Sequence, residues 1–178
     1  MTDNDMIRIV RERIMAALAA KGWSDIVVQQ KAQPEQQGTP IGRAVFILAA
    51  ANKRYGFAGR KIEYNQAGDV FDETETQIIE VSFEISALAR QGTDINKPTA
   101  KDILNYLAMF MSSRQNVREL LKSNLNILRI TEVRNGSFGD DQERFAFHPS
   151  FDLIIVSDNT ITGTVPVVKR LNGDALGV

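Results

Sequence analysis

Gln77-Ile78-Ile79-Glu80-Val81-Ser82-Phe83-Glu84-Ile85-Ser86-Ala87-Leu88-Ala89 alternates apolar and polar residues almost without a break. Ile79, Val81, Phe83, Ile85, Ala87 and Ala89 fall on one face, and Glu80, Ser82, Glu84 and Ser86 on the other. Successive side chains of a strand point to opposite sides of its sheet, so the pattern predicts a half-buried strand over Thr74 to Arg90. A helix would scatter the six apolar residues around its circumference. The alternation lasts about twice the usual five to six residues of a strand. A long strand with one wet face suits an antiparallel sheet covered on one side.

The elements around this strand follow from other periodicities. Asp3 to Ala20 carries Ile7, Val10, Ile14 and Leu18 on one helical stripe, with Arg8, Arg11, Glu12 and Arg13 elsewhere, as on a solvated helix face. Asp3 or Asn4 is placed to cap this helix and Gly22 to end it. Asp25 to Gln30 reads as a short strand, and Gln33 to Pro40 as a loop. Ala44 to Ala50 is a continuous apolar run, expected to be a strand buried on both faces. From Ala51 to Glu73 the chain turns polar and glycine-rich, which predicts a hairpin arm with its tip near Gln66 to Asp69.

Beyond the long strand, Gln91 to Lys97 reads as a loop. Thr99 with Asp102 forms a capping box ahead of a helix whose inner stripe is Ile103, Leu107, Phe110 and Met111. Ser112 and Ser113 break it. A short second helix to about Ser123 turns Val117, Leu120 and Leu121 inward. Asn126 to Arg134 is a strand, Asn135-Gly136 a two-residue hairpin turn, and Asp140-Asp141 an acidic tip. Glu143 to Ser157 is the next strand, with Phe145, Phe147, Phe151, Leu153 and Ile155 on one face and Pro149 at a bulge or edge. Asp158-Asn159 is a turn, and Thr160 to Val168 alternates weakly. The expected class is α+β: an antiparallel or mixed sheet with long strands, the N-terminal helix and a central helix pair packed on one face. Residues 1–170 form a single domain with a protruding arm at about 51–73, and 171–178 a flexible tail.

Composition narrows the function. The 178 residues carry 43% hydrophobic and 24% charged residues, as in soluble globular proteins. A net charge of −1 supplies no field for nucleic acid or an acidic membrane. The chain has no cysteine, so it offers neither disulfide nor thiolate chemistry. The polar start is no signal peptide, and no apolar run approaches the ~20 residues of a membrane span. The reading is a protein made in a cytoplasm, or carried in a particle assembled there.

Motifs for catalysis are missing. With His148 the only histidine, a histidine-based metal cluster is excluded, and His148 lies beside Pro149 without a nucleophile elbow. Gly56 to Lys61 is glycine-rich and basic but lacks the strand-loop-helix setting of a phosphate site. Glu80 and Glu84 are about 13 Å apart along the strand. A glycosidase pair needs about 5–9.5 Å. They read either as a solvated face or as an acidic wall facing a channel. No catalytic, cofactor-binding or metal-binding residue is assigned.

Two stretches carry a resemblance. One runs from Ser113 to Arg134 and contains Ile127-Leu128-Arg129-Ile130-Thr131-Glu132-Val133. The other runs from Arg144 to Leu153 and contains Phe151-Asp152-Leu153. With the order of elements up to about Val168, they resemble the tail terminator (neck terminator) proteins of long-tailed bacteriophages. The arm at 51–73 matches nothing in that family. The resemblance implies a non-enzymatic virion protein of the tail or neck, assembled in the host cytoplasm. It implies a hexameric ring that caps the tail tube, ends elongation and docks the head connector. Partners would be the tail tube protein, a head-completion or connector protein and the sheath, with DNA as cargo only. Tyr55, Phe57, Arg60, Tyr64 and Phe71 are of the kinds enriched at interfaces and are the candidate contacts of the ring; Glu80 and Glu84 are candidate channel-facing residues. The alternatives are a tail tube or head-completion subunit, or a small-molecule enzyme with a site at Tyr55, Tyr64 and His148.

Overall fold

The computed structural model describes residues 2–30, 42–89, 97–139 and 145–167. The long strand is there, longer at its start than the alternation predicts: β3 spans Val70–Leu88. It lies at the centre of a mixed sheet. Before it come helix α1 (Asp3–Ala20) and strands β1 (Val27–Gln30) and β2 (Ala44–Asn65). After it come helices α2 (Ala100–Met111) and α3 (Arg114–Leu121) and strands β4 (Leu125–Ile130), β5 (Arg134–Gly139) and β6 (Phe145–Pro166). The sheet order is β1-β2-β3-β6-β4, with β5 also paired to β6. Only β1 and β2 run parallel; the other pairs are antiparallel. The α+β class with long strands therefore holds.

The helices begin where side chains cap them. The first cap is Thr2 rather than Asp3 or Asn4: its hydroxyl accepts from the Asp5 N–H, and the Asp5 carboxylate accepts from the Thr2 N–H at 3.1 Å. This box satisfies two backbone donors that open a helix. Gly22, at φ +80, turns the chain away after the last turn, where the left-handed region favours glycine. The Thr99–Asp102 box opens α2 as predicted, and Ser113 caps α3.

The odd-numbered side chains of β3, from Val81 to Ala87, are buried with Phe151, Leu153 and Ile155 of β6. They join Val10, Ile14 and Leu18 of α1, Ile103, Leu104, Leu107 and Met111 of α2 and Leu120 of α3 in one core. Phe110 is only partly buried, and Leu121 is 52% exposed. Asn116 takes the inward place that apolar spacing assigns to Leu121. Its amide donates to the Met111 carbonyl at 3.0 Å, and its oxygen accepts from Arg13 Nε at 2.7 Å. A buried amide with both ends bonded avoids the cost of an orphaned polar group.

Several boundaries differ from the sequence reading. Ala44 to Ala50 is not a separate strand buried on both faces; it opens the 22-residue β2, and Phe46 and Leu48 are half-buried on the helix-free face. Asn135-Gly136 is not a turn, because both residues pair within β5, with Pro149 and His148. The antiparallel ladder instead runs on to Gly139, which pairs with Phe145. Asp158-Asn159 is not a turn either: these residues pair with Ile78 and Gln77 in the middle of β6. Local turn propensity yields there to a ladder that holds both neighbours. Pro149 sits one residue past the end of the β3 ladder, at an edge position as expected of a residue that cannot donate. The 33–40 loop, most of the 91–97 loop, the acidic tip at 140–141 and the 171–178 tail lie outside the described residues, as do the side chains of Phe145, Phe147 and His148.

Candidate functional site

The sheet outruns its helices. β1 pairs with β2 only as far as Ile47, and β4 with β6 only from Leu153 to Ser157. Beyond these points β2, β3 and β6 continue together as a three-stranded arm of roughly 30 Å at ~3.4 Å per residue. The arm is thus broader than the predicted hairpin at 51–73, since Asn159 to Pro166 supplies a third strand. Its tip is the turn at Gln66 to Asp69, as predicted, with Asp69 at φ 50. The Asn65 side chain accepts from the N–H groups of Ala67 and Gly68 and donates to Asp72.

The ladder between β3 and β6 is unbroken from Val70 to Ser86, so odd and even residues keep their faces along its whole length. The odd face, buried under helices in the body, emerges uncovered on the arm. There it carries Phe71, Ile161 and Val165, with Ile62 and Tyr64 beside them on β2. All five side chains are exposed, Ile161 at 67%. Tyr64 and Phe71 lie against each other with ring centroids 5.5 Å apart, and the Tyr64 hydroxyl donates to Asp69 at 2.9 Å. Arg60 forms an ion pair with Glu73 on this face, and that hydrogen bond and charge raise the guanidinium pKa further. The opposite face carries Thr74, Thr76, Thr160, Thr162 and Thr164. The odd face is therefore mixed, with Arg60, Glu73 and Glu75 set between its exposed apolar side chains.

Phe57 stands fully exposed beside a bulge between Tyr55 and Gly59, where Gly56 has φ +62 and the Gln77 amide donates to its carbonyl. The structure therefore brings Tyr64, Phe71 and Arg60 together on the odd face, while Tyr55 lies on the other face and Phe57 at the arm's root.

The two glutamates part company. Both lie on the helix-free face, but Glu80 is only 7% exposed and Glu84 is half-buried. The expectation of a freely solvated pair is corrected. Glu80 lies between Lys53 and Val156 in neighbouring strands. Hydrogen bonding to the Glu80 carboxylate, followed by its charge, lifts the Tyr55 pKa above its ordinary value. Alternation alone placed Glu80 on the correct face and could not show the tyrosine two residues beyond its partner Lys53.

An open hollow of about 240 Å³ lies at the arm's root, lined by Ile78, Leu121, Leu125, Val156 and Asp158 among others. Neither Tyr55 nor Tyr64 lines it. Among the described residues, no group of three His, Asp or Glu side chains could hold a metal ion, and no helix is long and apolar enough to cross a membrane.

The described residues thus form a helix-backed sheet from which an amphipathic three-stranded arm extends. The profile of the E217 gateway protein gp29 family matches residues 5–167, and the chain belongs to that family of phage proteins. The resemblance to phage tail terminators read from the sequence is borne out at this level. A solved structure, the cryo-EM sheath/tube terminator of the extracellular contractile injection system PVC in its extended state, is similar with a TM-score of 0.49 and 10% identity. That similarity covers 97% of this chain and 64% of the other, so this chain spans less than two thirds of its neighbour's length. No curated protein matches.

Proposed function

We propose that this chain is a structural, non-enzymatic virion protein that forms a ring of six copies on the end of a phage tail tube. The ring stops tube elongation and presents its other surface to the head connector, with the sheath as a further neighbour. It is assembled in the host cytoplasm, and DNA passes through it as cargo. Membership of a phage gateway family supports this reading. The observation that carries it is the arm's odd face, where Ile62, Tyr64, Phe71, Ile161 and Val165 lie exposed without core behind them. Ring subunits meet through two different surfaces whose contact closes after a fixed rotation. An arm reaching past its own body supplies such a surface, with Tyr55 and Phe57 as further contacts. Glu84, with Glu80 behind Tyr55, belongs to the wall assigned to the channel.

The test is complementation of a phage lacking this protein with Tyr64→Ser/Phe71→Ser/Ile161→Ser. These positions lie outside the core, so the variant is expected to fold yet to leave tails of uncontrolled length or tails without heads. Normal infectious particles from the triple variant would remove the arm from the assembly.

A further inference from the structure

The arm has two open outer edges, and toward its tip only the β2 edge carries charge, at Arg60, Lys61 and Glu63. Among the described residues, no strand pairs with β2 beyond Ile47 on one side, or with β6 beyond Ser157 on the other. Each edge leaves a row of backbone N–H and C=O groups directed outward, a template for another strand. Proteins usually blunt such edges with charge, proline or short length. The β6 edge has none of these over Asn159-Thr160-Ile161-Thr162-Gly163-Thr164-Val165: no charged residue, and no proline before Pro166. The β2 edge is interrupted by the bulge before Gly59 and then runs regularly through Gly59 to Asn65. The two regular stretches are the same length and pair with overlapping parts of β3, Gln77 to Phe71 and Thr76 to Val70. β2 and β6 are each antiparallel to β3, so they run in the same direction.

From these relationships we infer that the arms of neighbouring copies join edge to edge, the β6 edge of one copy pairing in parallel with the β2 edge of the next. The occupant of each open edge is a second copy of this chain. A single contact of this kind, repeated by rotation, covers both edges of every copy and leaves none when the ring closes. Like-with-like pairing of β6 would leave every β2 edge open. The uncharged β6 stretch also presents no like charge to Arg60 and Lys61. In the joined sheet the threonines of successive copies share one face, and Tyr64, Phe71, Ile161 and their neighbours share the other. The inference rests on the ring reading and adds which backbone edges make the ring.

The chain lacks cysteine, so introduced thiols report on contacts without interference. Lys61→Cys is paired with Thr160→Cys, Thr162→Cys or Thr164→Cys in separate chains, all on one face of the arm; Arg8→Cys is the control for collision. Mild oxidation of mixed assemblies should give a two-chain band for the Lys61→Cys chain with at least one of the three β6 chains. Each variant alone should give no more than the control. Cross-linking of a β6 variant with itself overturns the inference in favour of like-with-like pairing. Rings of normal mass without any mixed cross-link overturn edge pairing while sparing the ring reading. A chain that stays monomeric overturns both.

Discussion

The Arg134 guanidinium donates to the Asp152 carboxylate at 2.7 Å, joining the first residue of β5 to the middle of β6. The same aspartate is held at its backbone. Its N–H donates to the Thr131 hydroxyl at 2.7 Å, and its carbonyl accepts from the Thr131 N–H at 2.9 Å. β4 and β5 pair with successive parts of β6, and Thr131 to Val133 bridges them. The two stretches that resemble phage tail terminators therefore meet at Thr131, Arg134 and Asp152, where one strand ends and the next begins.

Thr131→Val should cost about 1 kcal/mol, because it leaves the half-buried Asp152 N–H without its acceptor. Thr131→Ser keeps the oxygen and should stay closer to the parent. Chemical denaturation of the two variants checks this; a loss in Thr131→Ser without one in Thr131→Val would show that packing of the threonine methyl matters instead.

Asn116→Leu places an apolar residue where apolar periodicity would welcome one, yet it should destabilise by about 1–3 kcal/mol. The substitution strands the Met111 carbonyl and removes the acceptor of Arg13 Nε. A variant as stable as the parent would mean that water replaces the amide.

Phe83→Ala should cost about 3–5 kcal/mol, since Phe83 is fully buried between sheet and helices. Glu84→Ala, half-buried on the other face, should cost clearly less. Thermal unfolding of the pair tests the assignment of faces on which the account of the arm depends.

Asp102 supplies an acid-sensitive contribution. Hydrogen bonds from the Thr99 hydroxyl and N–H hold its carboxyl below the ordinary value of 3.8. A depressed folded pKa stabilises fully above the unfolded value and is lost as pH falls through the folded one. The stability advantage of the parent over Asp102→Asn should therefore be constant from neutral pH to about 5 and shrink below about 4. Unfolding curves across that range decide it; an advantage that grows in acid would reverse the assigned sign.

Much of the fold was legible because alternation and capping are local. The face assignments of β3, the bounds of α1 and the Thr99–Asp102 box are all written within a few residues. Errors arose where pairing with distant strands overrides local preference. Asn135-Gly136 and Asp158-Asn159 are good turn formers in isolation, but both are held in ladders with β6 or β3. Asn116 was missed because its partners, Arg13 and the Met111 carbonyl, come from two other helices. For the candidate site, residue type singled out Tyr64 and Phe71, whereas Ile62, Ile161 and Val165 look like ordinary strand residues. Only the unbroken β3–β6 register shows that their face has outrun its helices.

The mass of the assembled species shows how many copies it holds. Native mass spectrometry of the intact chain, with imaging of the tail end in assembled particles, should show a closed ring of six copies. A chain that is a single copy both in solution and at its place in the particle would rule out the ring.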